Sequence, residues 1–334
     1  MHANDRRQGE APRSFEGNGM PDREPRICVI GATNIDLIAK VPRLPGLGET
    51  LPAESFHVDC GGKGANQAVM ARRLGARVSM VTRIGRDVFG ERAFRNYEER
   101  GIDTAFVSWD DERPSGVASI LVDDQGRNAI AYVPGANFGL SPADVRSARD
   151  AIEQADAVVC QLEVPLDTTA EALRTARNCR RPLTIFNPSP AAGPIARDLI
   201  ALCDVIVPNE VEAEAITGIA VHTLDDAGAA ARRLLEAGAS AAVITLGARG
   251  ALVAGRTETV HVPAIPVDAV DSTGAGDAFI GTLAYFLARA DPLDRAARLA
   301  NAAAALSVTK IGTQASFPSR ADFEGFAGRV HEGS

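Results

Sequence analysis

The feature that most constrains the fold of this chain is a regular alternation between short apolar runs and segments of helical spacing. Helical spacing occurs, for example, at 89–100, and an alanine-rich stretch of the same kind covers 294–309. The apolar runs typical of buried strands lie at 26–31, 78–85, 157–163, 183–187, 205–209 and 242–247. Such short runs alternating with helices are typical of parallel strands that are covered on both faces. The sequence therefore predicts an α/β fold with a mainly parallel central sheet.

A break in this alternation predicts a second, smaller sheet. Residues 115–122 and 128–133 both have the pattern of a strand, and the Asp-Asp-Gln-Gly-Arg segment between them is a turn of hairpin type. Residues 55–60 alternate like a half-buried strand. We expect residues 37–60 and 113–134 to form a small β-sheet outside the main core. Such a sheet could act as a lid that keeps water from a reacting group.

Composition narrows the classes of function. Of the 334 residues, 46% are hydrophobic and 23% are charged, as in ordinary globular proteins. The net charge of −8 argues against nucleic acid or an anionic membrane as the main partner. No apolar run approaches the roughly 20 residues that a membrane span needs. The five cysteines are scattered without C-x-x-C spacing, which favours reduced thiols in the cytoplasm over disulfides or a zinc site.

Residues 1–25 differ from the rest of the chain. They are polar, mixed in charge and rich in Gly and Pro, without the apolar centre of a signal peptide. Such a segment cannot bury enough apolar surface to order itself, so we expect a disordered tail without a function. Met20 lies just before the first strand, so translation could also start there. Residues 26–330 are expected to form one α/β domain that includes the small sheet.

A glycine-rich turn at 271–277 (Asp-Ser-Thr-Gly-Ala-Gly-Asp) leads into an apolar helix. Gly274 and Gly276 allow backbone N–H groups to approach a ligand closely. The N-terminus of a helix adds free donors and a partial positive charge, which suit an anion such as phosphate. Asp277 is either a plain helix cap or a general base that deprotonates a hydroxyl as it attacks a phosphoryl group.

A second glycine turn feeding a helix lies at 61–66 (Gly-Gly-Lys-Gly-Ala-Asn). It is not a Walker loop, because Lys63 is followed by Gly and the upstream glycine spacing differs. No G-x-G-x-x-G segment follows a strand, so nothing suggests a dinucleotide. The glycines either form part of a binding site or simply let the strand pass closely under the helix.

Polar residues recur where the predicted strands end, which is where ligands bind in open α/β sheets. Asn34 and Asp36 are two residues apart and point to the same face of an extended chain. They form either a grip for vicinal hydroxyls or a turn-forming Asn with a solvated Asp. The acidic groups that follow Asn209 complement a helix dipole. Asn301, in the alanine-rich stretch, faces either an adenine or water. The acidic residues after Asn209 are Glu210, Glu212 and Glu214.

Together, the turns at 61–66 and 271–277 resemble the two signatures of the ribokinase (PfkB) family of carbohydrate kinases. The resemblance covers residues 26 to 326, and its motifs occur in the order of the family. The run at 61–68 and the Asn34-Ile35-Asp36 segment are most similar to the ribose kinases within the family. The resemblance implies a three-layer α/β/α core with a small β-sheet lid.

The resemblance also implies a role for each matching residue. Asp277 matches the catalytic base, which takes the proton from the primary hydroxyl of the sugar. The anion hole is matched by Gly274, Ala275 and Gly276. Sugar-binding positions are matched by Asn34, Asp36, Gly62, Lys63, Asn66, Glu163 and Asp277. Nucleotide and magnesium-water positions are matched by Asn209, Glu212, Thr245, Gly247, Gly250 and Gly276, and a position near the adenine by Asn301. The loops that hold a monovalent cation, K⁺ in the ribokinases, are matched by Asp271, Thr273, Ser307, Lys310, Gly312 and Ser316.

The activity implied by the resemblance is ATP-dependent phosphorylation of D-ribose at its 5-hydroxyl, with Mg²⁺ and with K⁺ as an activator. A kinase of 2-deoxyribose, fructose or adenosine is the alternative within the family. The lid stretches contain few aromatic side chains to hold a nucleobase (Phe56, Tyr132 and Phe138), which favours a free sugar. A non-catalytic sugar-binding regulator is expected to have lost the base or the anion hole, and both are intact here.

The resemblance also bears on assembly, since relatives often dimerise through the lid. An exposed edge or face of a small sheet is a liability that a second subunit would relieve. We therefore expect a homodimer that forms through the β lid.

Overall fold

The computed structural model describes residues 23–179, 181–191 and 193–332, the last three by their backbone alone. Most of the predicted N-terminal tail, including Met20, lies outside these residues. The strands are β1 Arg26–Ile30, β2 Asn34–Lys40, β3 Ser55–Gly61, β4 Arg77–Gly85, β5 Asp103–Asp110, β6 Gly116–Val122, β7 Asn128–Val133, β8 Ala157–Cys160, β9 Leu183–Phe186, β10 Val205–Ile206, β11 Ala241–Thr245, β12 Ala251–Ala254 and β13 Thr259–Val262. The helices are α1 Lys63–Arg73, α2 Val88–Arg100, α3 Pro142–Ser147, α4 Arg149–Gln154, α5 Leu166–Cys179, α6 Arg197–Ile200, α7 Glu210–Thr217, α8 Leu224–Glu236, α9 Ala275–Ala288, α10 Leu293–Ser307 and α11 Arg320–Glu332.

The larger sheet has nine strands in the order β13-β12-β11-β10-β9-β8-β1-β4-β5. The strands from β11 to β5 in this order are parallel to their neighbours, and β12 and β13 extend the sheet as an antiparallel hairpin. Side chains of β1 alternate between two cores, with Ile27 and Val29 in one and Cys28 and Ile30 in the other. Helices α1, α2, α9, α10 and α11 cover the first core, and α3 to α8 cover the second. The predicted three-layer α/β/α architecture is confirmed.

The smaller sheet has four strands in the order β3-β2-β6-β7. Strand β2 is antiparallel to β3 and parallel to β6, and β7 closes the other edge antiparallel to β6. This sheet is the predicted small sheet, and its first strand begins at Asn34. Asn34 and Asp36 therefore belong to β2, at the point where the chain leaves the large sheet. The alternative of a turn-forming Asn34 is wrong, because Asn34 pairs with Gly61 and Gly116.

Three strands were not predicted from the sequence. Strand β5 lies at the edge of the large sheet and is half-exposed, so it lacks the continuous apolar run of a central strand. The hairpin of β12 and β13 consists of two strands of four residues each. The predicted strand at 205–209 is shorter than expected, because Pro208 has no N–H to donate and the chain turns into α7 directly after it. In the described part of the chain, no helix is both long and apolar enough to cross a membrane.

Candidate active site

A cavity of about 110 Å³ opens at the carboxyl ends of β9, β10 and β11, where open α/β sheets bind their ligands. Helices α1 and α9 both begin at its rim. Two polar side chains that had no predicted role, Asn187 and Ser189, lie in its wall. The structure brings seven residues predicted from the sequence to this cavity, namely Lys63, Asn209, Glu212, Thr245, Gly274, Gly276 and Asp277.

The start of α9 forms one wall of the cavity. Gly274 has a φ of 78°, and a Cβ there would lie 2.6 Å from Thr313 Cγ2, so only glycine fits the turn. A Cβ at Gly276 would meet no protein atom within 4 Å, which leaves open space beside the first turn. Within the described residues the N–H groups of Gly276 and Asp277 have no protein acceptor, whereas the N–H of Ala275 donates to Ser272 O at 3.2 Å. These free donors are suited to an anion.

Asp277 is buried and does not cap its helix. The N-cap of α9 is Gly274, and no side-chain cap is formed there, so the interpretation of Asp277 as a plain cap is wrong. Its two carboxylate oxygens instead accept one amide hydrogen bond each. Asn66 Nδ2 donates to Oδ2 at 2.9 Å, and Gln67 Nε2 donates to Oδ1 at 2.9 Å. Both donors lie in α1, so the pairing of α1 with α9 orients the carboxylate.

Lys63, the first residue of α1, is surrounded by carboxylates. Its backbone N–H donates to Glu163 Oε2 at 2.8 Å, and Gly62 before it has a φ of 90°. Burial alone would lower the pKa of the Lys63 ammonium, but the negative charges of Asp277, Glu163 and Glu212 raise it above its usual value. Lys63 therefore remains a cation beside the cavity.

Asn34 and Asp36 lie next to this cluster, at the start of the small sheet. Asn34 Oδ1 accepts a hydrogen bond of 2.7 Å from Asn137 Nδ2, which fixes the orientation of the Asn34 amide. Asp36 is 8% exposed, so the alternative of a solvated Asp is wrong. Burial, reinforced by the charge of Glu163 and other nearby carboxylates, raises the pKa of Asp36 to about 7.

The glycine turn before α1 serves close packing as well as the site. A Cβ at Gly62 would lie 2.7 Å from Asn34 N, and a Cβ at Gly64 would lie 2.8 Å from Gly31 C. The turn therefore lets β2, the loop after β1 and the start of α1 meet at backbone distance. The close-packing interpretation of this turn is confirmed, and the same packing brings Lys63 near Asn34. Its role in binding stays a prediction.

Another part of the cavity wall includes a capping box at the start of α7. Glu212 N donates to Asn209 Oδ1 at 2.8 Å, and Asn209 N donates to Glu212 Oε2 at 2.9 Å. Asn209 also forms a parallel bridge with Thr245 at the end of β11. The predicted helix-start role of the acidic residues is confirmed for Glu212, whose carboxylate at the same time lines the cavity.

Gly250 and Asn301 lie close together, because both pack against the backbone at Val262. A Cβ at Gly250 would lie 2.1 Å from Val262 O, so the chain after β13 packs directly on this glycine. Asn301 Nδ2 donates to Val262 O at 3.2 Å and to Pro263 O at 3.1 Å. At 8% exposed, Asn301 does not face water, so that alternative is wrong. It holds the segment that follows β13.

The residues predicted for a monovalent cation lie in two adjoining loops. Asp271 Oδ1 accepts from Thr273 N, and Asp271 Oδ2 accepts from Gly312 N, both at 2.9 Å. Val308 O accepts the N–H groups of residues 270 and 271, which ties the two loops together. Burial raises the pKa of Asp271, but these hydrogen bonds outweigh it and the net pKa is below the usual value. Of the remaining members, Ser307 is the last residue of α10, and Lys310 and Ser316 lie in the loop that follows it.

Three buried amides at the site were not predicted from the sequence. Gln67 is 1% exposed, Gln161 is not exposed at all and Asn187 is 8% exposed. Gln67 follows directly on Asn66, and Gln161 and Asn187 each follow a buried strand. An amide at the end of an apolar run is the signal that could have identified Gln161 and Asn187, since buried amides require hydrogen-bond partners.

This geometry is suited to phosphoryl transfer. A fixed carboxylate can accept the proton of a hydroxyl, and free N–H groups beside it can stabilise the charge of a transferred phosphoryl group. Phosphoryl transfer consists largely of such positioning and charge stabilisation.

Comparison with known proteins also indicates phosphoryl transfer. Residues 24–320 match the family described as pfkB family carbohydrate kinase. A deoxyribokinase from Salmonella typhi is 42% identical over 297 residues, which cover 89% of this chain and 97% of that protein. A ribokinase from Mus musculus is 40% identical over 300 residues, covering 89% and 93%. A solved structure of Arabidopsis thaliana ribokinase complexed with ribose and ATP has a TM-score of 0.84 at 27% identity, covering 91% of this chain and 99% of that one.

The fold, the cavity and these matches define a class of enzyme, a phosphotransferase with an alcohol group as acceptor. Within that class, the chain belongs to the pfkB family of carbohydrate kinases.

Proposed function

We propose that this protein is an ATP-dependent ribokinase that phosphorylates D-ribose at its 5-hydroxyl. The observation that carries the proposal is the placement of the Asp277 carboxylate beside the free N–H groups of α9, in one cavity with Lys63. The similarity to the mouse ribokinase, and to an Arabidopsis ribokinase complexed with ribose and ATP, supports D-ribose and ATP as the two substrates.

In the proposed reaction the sugar lies between the start of the small sheet and Asp277. Asn34, Asp36 and the residues around Lys63 bind its hydroxyls, which leaves the 5-hydroxyl facing Asp277. The hydroxyl oxygen attacks the γ-phosphorus of ATP while the carboxylate takes its proton. The bond to the oxygen that bridges the β- and γ-phosphates breaks, and ADP leaves with that electron pair. The N–H groups at Gly276 and Asp277 stabilise the negative charge on the transferred group.

A magnesium ion fits the nucleotide side of the cavity. Mg²⁺ in such sites binds through one or two carboxylates and the substrate phosphates, and it keeps several waters. Glu212 uses one oxygen on Asn209 N and lies in the cavity wall, so it could hold the magnesium-bound water. When bound, Mg²⁺ would neutralise charge on the phosphates. Thr245, Gly247, Gly250 and Asn301 are proposed to shape the space for the rest of the nucleotide.

A potassium ion fits the two loops joined by Asp271 and Gly312. The donors available there are backbone carbonyls, hydroxyls and a carboxylate, and such a set of oxygen ligands suits a hard cation. The site would be matched by the residues predicted for it, Asp271, Thr273, Ser307, Lys310, Gly312 and Ser316. Since these loops pack on Gly274, a bound K⁺ would stabilise the start of α9.

2-Deoxyribose is the second candidate substrate. The observation that favours it is the 42% identity to a Salmonella deoxyribokinase, which is as extensive as the similarity to the ribokinases. Both sugars carry the primary hydroxyl that the reaction needs. They differ in one hydroxyl, which the buried polar groups around Asn34 would bind or leave unpaired.

The test is release of ADP by the purified protein with MgATP and a panel of ribose, 2-deoxyribose, fructose and adenosine, each with K⁺ or Na⁺. The proposal predicts the highest kcat/KM on ribose and a lower rate when Na⁺ replaces K⁺. Preference for 2-deoxyribose would move the assignment to the second candidate. Turnover of none of the four would contradict the proposed function, and a sugar-binding regulator would then be the better explanation.

We also propose a homodimer that forms through the small sheet, in the cytoplasm. Strand β7 is exposed along its whole length, and Ile130 and Val133 are 58% and 52% exposed. Phe56 on the opposite edge strand is 60% exposed. Apolar side chains on unpaired edges are the kind of surface that a second subunit covers. The five cysteines are free, which is consistent with a reducing compartment.

A further inference from the structure

Gln67 connects Asp277 to the interior of the molecule. Its Nε2 donates to Asp277 Oδ1 at 2.9 Å and to Asn187 Oδ1 at 3.1 Å. Its Oε1 accepts a hydrogen bond of 2.6 Å from Gln161 Nε2. Gln67 and Gln161 are 1% and 0% exposed, so water does not compete for these contacts. The Asp277 carboxylate therefore lies at the end of a chain of two buried amides.

These contacts allow one orientation of the Gln67 amide. Rotating it by half a turn would place Oε1 against two acceptor oxygens, those of Asp277 and Asn187, and its NH₂ group against the NH₂ of Gln161. Each contact would become repulsive in a buried, low-dielectric place, where unpaired polar groups are costly. Gln161 thus fixes the orientation of Gln67, and Gln67 fixes one oxygen of Asp277.

The packing around Gln161 keeps this chain in place. A Cβ at Gly31 would lie 1.9 Å from Gln161 Oε1, so the glycine directly after β1 makes room for the Gln161 amide. Gln161 O also accepts a hydrogen bond of 2.9 Å from Thr169 Oγ1 in α5. Within the described residues Gln161 Oε1 has no partner, so the amide is held through its NH₂ group and its packing.

The second oxygen of Asp277 is held independently. Asn66 Nδ2 donates to it, and Asn66 Oδ1 accepts from Gln314 Nε2 at 3.1 Å. A carboxylate with one amide donor on each oxygen cannot rotate about its Cβ–Cγ bond without losing both. Without the Gln67 donor, the carboxylate would be held by Asn66 alone and could rotate more freely about its Cβ–Cγ bond.

We infer that Gln67 is a positioning residue for the general base, and that the Gln161–Gln67 chain keeps the Asp277 carboxylate in the orientation that meets the substrate hydroxyl. The inference rests on the proposed function, in which Asp277 is that base. Gln67 itself lies behind Asp277 and touches the reacting atoms only through it. Its loss should therefore affect the reaction step more than the binding of the sugar.

The experiment compares Gln67→Met and Gln161→Met with the wild-type enzyme, on the sugar that the wild type turns over best. Methionine keeps the length and most of the volume of glutamine but removes the donor. The matched control is Thr282→Val, which removes a buried hydroxyl from α9 that has no partner in the described part of the chain. The readouts are kcat, the KM for the sugar, the pH profile of kcat/KM and the thermal midpoint.

For Gln67→Met we expect kcat to fall by about 10- to 100-fold, the range a slightly misplaced group costs, with KM changed less than about threefold. The acid limb of the pH profile should move to higher pH, because the Asp277 carboxylate loses a hydrogen bond that favours its charged form. Gln161→Met should show the same changes at a smaller amplitude, since the Gln67 donor remains but loses its support. Thr282→Val should match the wild type in both kcat and pH profile.

A second variant, Gln67→Glu, gives a distinct signature. Two carboxyl groups in contact resist ionising together. At low pH the introduced carboxyl group would therefore keep its proton and donate a hydrogen bond to Asp277, and at higher pH it would ionise and repel Asp277. Activity should then be retained at low pH and fall as pH rises, where the wild type is active. A wild-type profile in both Gln67→Met and Gln67→Glu would overturn the inference while leaving the proposed function in place. Absence of turnover in the wild type would overturn the proposed function, and the inference with it.

Discussion

At the scale of single residues, the site is a balance of one buried cation and several carboxylates. Lys63 keeps its charge because Asp277, Glu163 and Glu212 surround it, although burial opposes this. Burial raises the pKa of Glu163, and the Lys63 charge and N–H group offset part of that rise. The Lys63 cation is not among the causes that shift the pKa of Asp36, so burial raises that pKa without such an offset. The site therefore combines carboxyl groups of different proton affinity.

The raised pKa of Asp36 predicts a pH-dependent stability. Its folded-state pKa of about 7 lies above the usual value of 3.8, so between these pH values the folded chain holds a proton that the unfolded chain has lost. The stability that this proton provides is complete below pH 3.8 and lost as pH rises through 7. Relative to Asp36→Asn, the wild type should therefore lose stability across this window, by an amount of the order of 4 kcal/mol.

The measurement is the thermal midpoint of wild type and Asp36→Asn at intervals from about pH 4 to about pH 9, without substrate. The difference between the two proteins should change between about pH 4 and about pH 7 and remain constant above about pH 8. A difference that is independent of pH would show that Asp36 is already ionised in the folded protein at low pH.

The sequence predicted the polar residues at this scale but not their partners. Asn34 and Asp36 could be paired from their spacing alone, because β geometry places alternate residues on one face. Gln67, Gln161 and Asn187 were missed because their roles depend on contacts between residues 94 to 210 positions apart. Spacing within a strand is local information, whereas the amide chain exists only once α1, α9 and β8 have packed together.

At the scale of elements, the decisive contact is the crossing of α1 and α9. Gly281 lies at this crossing, where a Cβ would come within 2.6 Å of Gln67 O and 2.7 Å of Met70 Cβ. The close approach brings the Asn66 and Gln67 amides within hydrogen-bond distance of Asp277. A glycine inside an apolar helix therefore has a packing reason here, despite its low helix propensity.

This contact predicts that Gly281→Ala is destabilising although alanine favours helices. Overpacking should cost about 1–3 kcal/mol, and separating the helices should lower kcat as well. The matched control is Gly325→Ala in α11, where a Cβ would be 4.0 Å from its nearest neighbour, Arg329 Nη1. That variant should gain up to about 1 kcal/mol and keep its activity. Urea unfolding and kcat of both variants test this, and an equally stable, fully active Gly281→Ala would contradict it.

Buried strands were easier to predict from the sequence than exposed ones. The central strands of the large sheet were identified because they are apolar on both faces, as β1 and β8 show. The hairpin at 115–133 was identified from its turn and from its alternation. Strand β5 was missed because an edge strand exposes one face and its sequence, Asp-Thr-Ala-Phe-Val-Ser-Trp-Asp, has no continuous apolar run.

At the scale of the whole molecule, the small sheet connects the proposed sugar-binding residues to an exposed apolar edge. Its inner strand β2 carries Asn34 and Asp36, while its edge strand β7 presents Ile130 and Val133 to solvent. A second subunit that covered β7 would order the sheet that holds the residues proposed to bind the sugar. Dimerisation and sugar binding are therefore expected to support one another.

The proposed dimer predicts a scattering mass of twice the 35.0 kDa of one chain. Ile130→Asp places a charge on the exposed edge and should reduce the mass to that of one chain, with a weaker affinity for the sugar. Val88→Asp is the matched control, since Val88 is 72% exposed but belongs to α2. A wild-type mass of one chain at working concentration would remove the dimer from the account.

Phosphoryl transfer with Asp277 as the general base is tested by the formation of ADP from MgATP and ribose, followed over time in the wild type and in Asp277→Asn. We expect steady turnover to ribose 5-phosphate in the wild type. In the variant we expect kcat to fall by about 10²- to 10⁴-fold, the range that a general base contributes. The variant should still fold, with a lower thermal midpoint, because the new NH₂ group would lie against one of the two amide donors, Asn66 or Gln67. A folded Asp277→Asn protein with near-wild-type kcat would contradict the role of Asp277, and a wild type silent on ribose would contradict the assignment itself.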